Sequence, residues 1–428
     1  MRVLILAYDF PPNSSIGGQR PYSWFKYFKD FGVKPVVVTR HWSEISTPED
    51  TIKPSGNQVE YTENESGTLI RVPFRPNLRD KMLLRFGYRF ALLRKILSLW
   101  YSLSQFHLPF FDNRRNIYHE ARAYLKKNQC EAIIATGEPF ILFQYAMLLS
   151  REFNIPWVAD YRDGWSTDYH IVAGTSRIEK WINNVIIQRL EKKIVNTCSL
   201  ITTPAPAFKE DLLRLHPSKR IEVIYNGYFH ELFENPKPFT KENTPFVIAY
   251  SGTMYPFQKL ELFLDGFDNY IRSNSLTPSQ ILVNFIGLEY QPGQLNRVLK
   301  YLPRLTPYIQ TTGRKSHLDA LKALQNADVF LLLTNAQYGQ IYAKAFDYIA
   351  FAKPILMCED DNGPLHEILE IAGCGYYASN PKEVEKQLTR IGQSAAEQLK
   401  SSNVSMFTRK HQAERFSTLL QSLLDKTS

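Results

Sequence analysis

The chain of 428 residues reads as an α/β protein made of two doubly wound, Rossmann-like halves. Three observations predict this. Short runs of buried-type apolar residues alternate with helical patterns along almost the whole chain. The rhythm stops at NGYFHELFENPKPFTKENTPF, residues 226–246, a stretch rich in Pro, Asn and charge, and then starts again. The length exceeds one ordinary core, so two domains of about 200 residues each are expected.

In the first half, Val3–Ala7, Val36–Thr39, Ala132–Ala135, Trp157–Ala159, Leu200–Thr203 and Glu222–Tyr225 read as strands, and Gln19–Asp30 and Ile178–Asn196 as helices. In the second half, Val247–Ser251, Ile281–Ile286, Tyr308–Thr311, Val329–Leu333 and Pro354–Met357 read as strands. Lys259–Ser273, His317–Asn326, Ala343–Ala350 and Pro364–Ala372 read as helices. The plan is a domain over 1–226, a linker over 227–246, a second domain over 247–400, and a helical tail over 401–428 that packs back on the first domain. Two such sheets facing across a cleft place ligands at the C-terminal ends of their strands. The residues just after each strand are therefore the ones to read.

Composition narrows the class. Hydrophobic residues at 44% and charged residues at 22% are ordinary for a globular protein. Cys130, Cys198, Cys358 and Cys374 are scattered with no CxxC pair, which fits reduced thiols in a cytoplasm better than a disulfide framework or a zinc site. The N-terminal apolar run is too short for a signal peptide, and no stretch of about 20 apolar residues suggests a membrane span.

The net charge of +9 is unevenly placed. Arg71, Arg75, Arg79, Lys81, Arg85, Arg89, Arg94 and Lys95 are opposed only by Asp80, and apolar residues from Met82 to Tyr101 interleave with them. The pattern is a basic amphipathic helical segment over about 71–118. It fits a helix packed on its own domain with a solvated basic face. It fits also a contact with an anionic membrane surface, at about 1 kcal/mol per basic residue. No motif for nucleic acid accompanies the charge. Arg20, Arg85, Arg89, Arg94 and Lys95 are the candidates for acceptor or membrane contacts.

After the first strand, no GxGxxG appears. Gly17 and Gly18 come instead, just before a helix, where they form either a plain turn or a cradle for an anion such as phosphate. After the fourth strand, ADYRDGW places Asp160, Arg162 and Asp163 before Trp165. This is either a salt-bridged loop with an aromatic plug or a wall that binds sugar hydroxyls. In the second half Gly252 ends a strand, and Lys259 opens a helix as surface charge or as a point charge for a diphosphate. Gly313, Arg314 and Lys315 precede the helix-opening Ser316. Lys344 and Asp347 share a helical face, as a surface ion pair or with the carboxylate on a ribose. Asp360-Asp361 lie in a Gly-Pro turn and give no metal site.

Taken in order, these pieces resemble the GT-B glycosyltransferases of the family 4 type over nearly the whole chain. AYDFPPNSSIGGQRPYSWFKYFKDFGVKPVVVT resembles that family's opening, and IPWVADYRDGW resembles the DxRDxW pattern of one branch. VIAYSGTMYPFQKLELFLDGF, TTGRKSHLDALKALQNADVFLLL and KAFDYIAFAKPIL resemble its donor-binding domain. The resemblance implies a retaining transferase that moves a sugar from a nucleotide-diphosphate donor, as co-substrate, with no metal and no other cofactor. It implies that Gly17 and Gly18 face the donor, that Arg162 and Asp163 lie near the sugar and acceptor, and that Lys259 holds the diphosphate. Asp347 matches the second acidic residue of the EX7E motif, which holds the ribose, and Lys344 the lysine of the KxFEY branch. The implied acceptor is a carbohydrate or a lipid-linked sugar at the cytoplasmic membrane face, in cell-surface polysaccharide or glycolipid assembly. Closure about the linker would exclude water.

The sequence departs from the family at three places. Thr253 stands where an arginine is usual, Gly339, beside Gln340, stands at the first EX7E glutamate, and Asp347 is shorter than Glu. A weak or inactive sugar-nucleotide-binding protein of the same fold, and a nucleotide-sugar epimerase, stay open as alternatives.

Overall fold

The computed structural model describes residues 1–13, 16–43, 48–107, 112–167, 183–233, 245–290, 292–335, 341–394 and 404–425. Gly339 and Gln340 lie outside them, as does the first part of the helix expected from Ile178. The chain forms two compact units, Met1–Tyr225 with Gln412–Ser428, and Asn226–His411.

The first unit holds an eight-stranded sheet in the order β3-β4-β2-β1-β5-β6-β7-β8. Its strands are β1 (Arg2–Leu6), β2 (Lys34–Arg40), β3 (Glu60–Asn64), β4 (Gly67–Val72), β5 (Ala132–Gly137), β6 (Trp157–Tyr161), β7 (Leu200–Thr203) and β8 (Ile221–Val223). All pair in parallel except the edge strand β3, which runs antiparallel to β4. Every residue of β5 and β6 is buried, which suits strands covered on both faces by helices. Ile117, Ala121, Ile141, Leu142, Phe143 and Ala146, from helices Arg115–Leu125 and Ile141–Phe153, pack in one core with Leu4, Val36 and Ile133. Strand order reverses at β1 and β5, which makes their C-terminal ends the switch point of the sheet.

The second unit repeats the plan with the order β11-β10-β9-β12-β13-β14, all parallel. Its strands are β9 (Phe246–Ser251), β10 (Ile281–Ile286), β11 (Ile309–Thr311), β12 (Val329–Leu333), β13 (Ile355–Cys358) and β14 (Gly375–Ala378). The switch point here lies at β9 and β12.

Three expectations are corrected. The segment over 71–118 is not helical from its start. Arg71 lies in β4, and helices begin only at Leu78–Phe86 and Ala91–His107. Thr68, Ile70 and Val72 favour a strand, and Pro73 and Pro76 hold the next residues out of a helix. The linker also starts later than residue 227. Tyr228 N donates to Phe407 O at 3.0 Å, Arg409 N donates to Tyr228 O at 2.8 Å, and Phe233 meets Phe351 edge-on at 5.0 Å. Aromatic residues within the Asn- and Pro-rich stretch find a core in the second unit. The tail joins the first unit only from Gln412: helix Arg409–Leu424 begins in the second unit and continues in the first, where Phe416 packs edge-on against Trp24 at 5.1 Å and Phe28 at 5.9 Å.

Candidate active site

At the switch point of the first unit, the chain leaves β1 through Tyr8 and Asp9 and returns into helix Ile16–Tyr27. Gly17 sits at the start of that helix because nothing larger fits. A β-carbon there would lie 1.8 Å from Arg162 Nη1 and 3.0 Å from Asp9 Oδ2. Gly18 faces the backbone of Asp9 and Phe10 in the same way, with Phe10 N at 3.1 Å. Arg162 donates from Nε to Gly137 O at 2.7 Å and from Nη2 to Glu138 O at 2.6 Å, and its Nη1 stands 3.4 Å from Asp9 Oδ2. It thus joins the ends of β1, β5 and β6. Burial pushes the Asp9 carboxyl above the usual range, while Arg162 pulls the other way. Asp163 is exposed on the loop beyond Arg162. Trp165 is buried, stacked on Phe140 at 5.0 Å and Phe106 at 5.2 Å.

Asp160 and Arg20 have a different role. Asp160 is fully buried, and Arg20 is 2% exposed. Their ion pair is 2.6 Å long, Thr202 Oγ1 also donates to Asp160 at 2.7 Å, and Arg20 Nη1 donates to Ile224 O at 2.6 Å. Arg20 is therefore not an acceptor or membrane contact. Its guanidinium holds helix Ile16–Tyr27 to β6 and to the residues after β8. Sequence alone marks a polar residue on a helix, not the carboxylate 140 residues away that buries it.

On helices Leu78–Phe86 and Ala91–His107, Arg85, Arg89 and Lys95 are exposed, and Arg94 is half-buried with Nη2 3.4 Å from Tyr88 O. Tyr88 (77%), Leu92 (74%), Ile96 (57%) and Phe90 (56%) are exposed beside them. Among the described residues no helix is long and apolar enough to cross a membrane.

At the switch point of the second unit, Gly252 adopts φ +88°, a backbone that side chains disfavour, and turns the chain sharply after β9. Among the described residues its near side-chain neighbour is Lys344, whose Nζ would be 3.8 Å from a β-carbon. The Lys344 ammonium donates to Thr253 O at 3.3 Å and lies 3.9 Å from the centroid of the Tyr250 ring. Burial pushes it down to about 7. Tyr250 Oη donates to Thr253 O at 2.7 Å, and Ser251 N donates to Tyr348 Oη at 2.9 Å. Gln258 Nε2 donates to Leu333 O at 2.7 Å and Asn335 Nδ2 to Phe257 O at 2.9 Å, so the loop after β9 is pinned to the end of β12. Lys259 follows as the exposed first residue before helix Leu260–Ser273.

Lys344 and Asp347 do not pair with each other. Asp347 Oδ2 lies 2.9 Å from His317 Nε2, on the first residue of helix His317–Leu324. That hydrogen bond raises His317 above its ordinary value against an opposing effect of burial. Arg314 is exposed, 4.9 Å from the Tyr290 ring. Asp361 accepts from Gly363 N, Leu365 N and His366 N and so caps helix Pro364–Ala372. Among the described residues no group of three or more His, Cys, Asp or Glu is placed to hold a metal ion.

With this geometry in hand, residues 22–231 match the model of Glycosyltransferase Family 4. This is a glycosyltransferase of GT-B fold whose residues 22–231 carry the family 4 match. The sequence matches none of the curated proteins searched. Solved structures similar to this glycosyltransferase include sucrose-phosphate synthase from Thermosynechococcus elongatus, with 14% identity, 100% of each chain covered and a TM-score of 0.64. Another is α,α-trehalose 6-phosphate synthase from Burkholderia multivorans, with 12% identity, 100% of each chain covered and a TM-score of 0.63. A third is an Anabaena protein solved in complex with UDP and glucose, with 12% identity, 100% of this chain and 99% of that chain covered, and a TM-score of 0.54. At these identities the likeness is one of fold.

Asp9, Arg40 and His317 are residues of the glycosyltransferase's switch points that sequence reasoning passed over. Arg40 is the last residue of β2 and Asp9 lies just beyond β1, after Ala7 and Tyr8, so the rule of reading strand ends would have found them. His317 carried no local signal, since its partner is 30 residues on.

Proposed function

We propose that the enzyme transfers a sugar, with retention, from a nucleotide-diphosphate donor held by its second unit to an acceptor held by its first. The observation that carries this reading is the seat of Lys344. The family arginine is replaced by Thr253, and the Lys344 ammonium stands against the Thr253 carbonyl instead. Lys344, Lys259, Arg314 and the backbone N–H of Thr253 would meet the charge that grows on the leaving diphosphate. Asp347 would accept hydrogen bonds from the ribose hydroxyls. The sugar would pass through an oxocarbenium-like state, and we assign no nucleophile. Arg162, Asp163 and the backbone around Gly17 and Gly18 would line the sugar and acceptor side.

UDP-glucose is the first donor to offer, since one structural neighbour is solved with UDP and glucose. Incubation with candidate acceptors and NMR of the product anomeric proton tests the reading. A new glycoside with the donor's anomeric configuration supports it. Inversion overturns retention, and an altered sugar still joined to nucleotide overturns transfer in favour of epimerisation.

The exposed Tyr88, Phe90, Leu92 and Ile96 beside Arg85, Arg89 and Lys95 favour a lipid-linked acceptor at an anionic, cytoplasmic membrane face, in cell-surface polysaccharide or glycolipid assembly. Flotation with neutral and anionic liposomes tests this, and equal partition into both overturns the electrostatic part.

A further inference from the structure

The first unit holds an excess of positive charge, part of it buried, that the transfer reading leaves largely unused. Arg40, the last residue of β2, is 2% exposed. Its guanidinium is layered 3.9 Å from the Trp42 ring and 3.6 Å from the Phe74 ring. It donates to Tyr8 Oη at 2.7 Å and Thr51 O at 2.8 Å. Among the described residues no ion pair is formed by Arg40. A buried cation without a carboxylate is costly unless something else supplies the negative charge.

Arg40 is not alone. The Tyr8 ring has the Arg40 guanidinium at 5.4 Å and that of Arg114 at 5.2 Å. Arg114 pairs with Asp112 at 2.9 Å, but its buried Nε has no hydrogen-bond partner among the described residues. Arg162 Nη1 stands 3.4 Å from Asp9 Oδ2. Asp9 feels all three arginines, and Arg40 and Arg114 oppose each other's charge. Arg114 also faces the buried Asp80, which is paired with Arg79 at 2.9 Å, so four guanidiniums meet three carboxylates, Asp9, Asp112 and Asp80, near the switch point where a doubly wound sheet binds ligands.

We propose that Tyr8, Arg40, Arg114 and Arg162 form a subsite for a phosphate-bearing acceptor, with Asp9 facing the same ligand. This deepens the transfer reading, since it rests on the first unit as the acceptor half. Arginine suits the task because its fixed fork matches phosphate oxygens and keeps its charge when buried. Asp9 then opposes the anion and is left to accept from an acceptor hydroxyl. The phosphate belongs either to a soluble sugar phosphate or to a lipid diphosphate.

The test is calorimetric titration of the full chain with inorganic phosphate, for the wild type and the Arg114→Gln, Asp9→Asn and Lys344→Gln variants. Arg114→Gln is expected to weaken phosphate binding about tenfold or more. Asp9→Asn is expected to tighten it several-fold, a sign that a purely structural role of Asp9 would not produce. Lys344→Gln removes any phosphate held at the proposed donor site and is expected to leave the Arg114-dependent binding in place. Competition with glucose 6-phosphate and with farnesyl diphosphate then tells the soluble source from the lipid source by which displaces phosphate better. No phosphate binding by the wild type, weaker binding in Asp9→Asn, or loss in Lys344→Gln with retention in Arg114→Gln would each overturn the proposal. Nucleotide-sugar binding, measured separately on the same proteins, reports on the transfer reading: its absence strikes that reading and leaves the phosphate result to be judged alone.

Discussion

Arg162 Nη1 lies 1.8 Å from the place a β-carbon on residue 17 would occupy. The guanidinium cannot easily retreat, because the carbonyls of Gly137 and Glu138 hold it. The glycine before the helix is therefore a fitted surface for an arginine that arrives from β6. Gly17→Ala is expected to cost about 1–3 kcal/mol through overpacking and to slow transfer. In an Arg162→Ala background the same change should cost less. A urea-melt double-mutant cycle measures the difference, and strict additivity would show that the two residues do not share this space.

The Arg20–Asp160 pair makes a different expectation. Both side chains are buried, so removal of one leaves an uncompensated charge. Asp160→Ala is expected to destabilise the protein by about 3–5 kcal/mol, without a specific effect on liposome binding. A melting temperature close to the wild type would contradict this.

Lys344 links donor binding to protons. Its folded-state value near 7 lies below the ordinary lysine value, so at pH 8 it is mostly neutral. A diphosphate beside it favours the charged form, so donor binding at pH 8 should take up protons. Titration in two buffers of different ionisation enthalpy measures the uptake, which Lys344→Met should abolish. For folding the sign is opposite to that of a paired lysine. The unfolded chain binds the proton more tightly, so this group's penalty is full below about 7 and fades as pH rises towards the unfolded value.

His317 and Asp347 set the other limb. The His317 value is raised by its bond to Asp347, so the stability from this pair is full below the unfolded histidine value, about 6.5. It is lost as pH rises through the folded value. As His317 deprotonates, Asp347 is freed for the ribose, and donor affinity should rise. With Lys344 falling at higher pH, the donor affinity profile is expected to be bell-shaped. His317→Gln should remove the acid limb and Lys344→Met the alkaline one. A flat profile in the wild type would contradict both assignments.

Much of the fold was legible because its buried strands are apolar runs. VLILA, VVVT, VFLLL and PILM each mark a strand that lies in a sheet. β3 was not legible, since EYTEN is an exposed, polar edge strand with no apolar run. β14 escaped because GYYA, a glycine and an alanine around two half-exposed tyrosines, makes no aliphatic run. At the site, strand-end residues were the right place to look, and Gly17, Arg162, Gly252 and Lys344 stand at switch points. Their partners were not visible: the Arg162 contact with Gly17, the Lys344 contact with Thr253, and His317 on Asp347 all join residues far apart in sequence. The burial of Arg20 was hidden for the same reason.

The most direct test of the account is a thermal-shift series with UDP-, GDP-, ADP- and dTDP-sugars on the wild type, Lys344→Met and Lys259→Ala. A donor at ~100 times its dissociation constant stabilises by roughly 2.7 kcal/mol. The expected result is a shift with one nucleotide, strongly reduced in both variants. A shift of equal size in all three proteins, or none in the wild type with any nucleotide, would contradict the donor site at Gly252, Thr253 and Lys344.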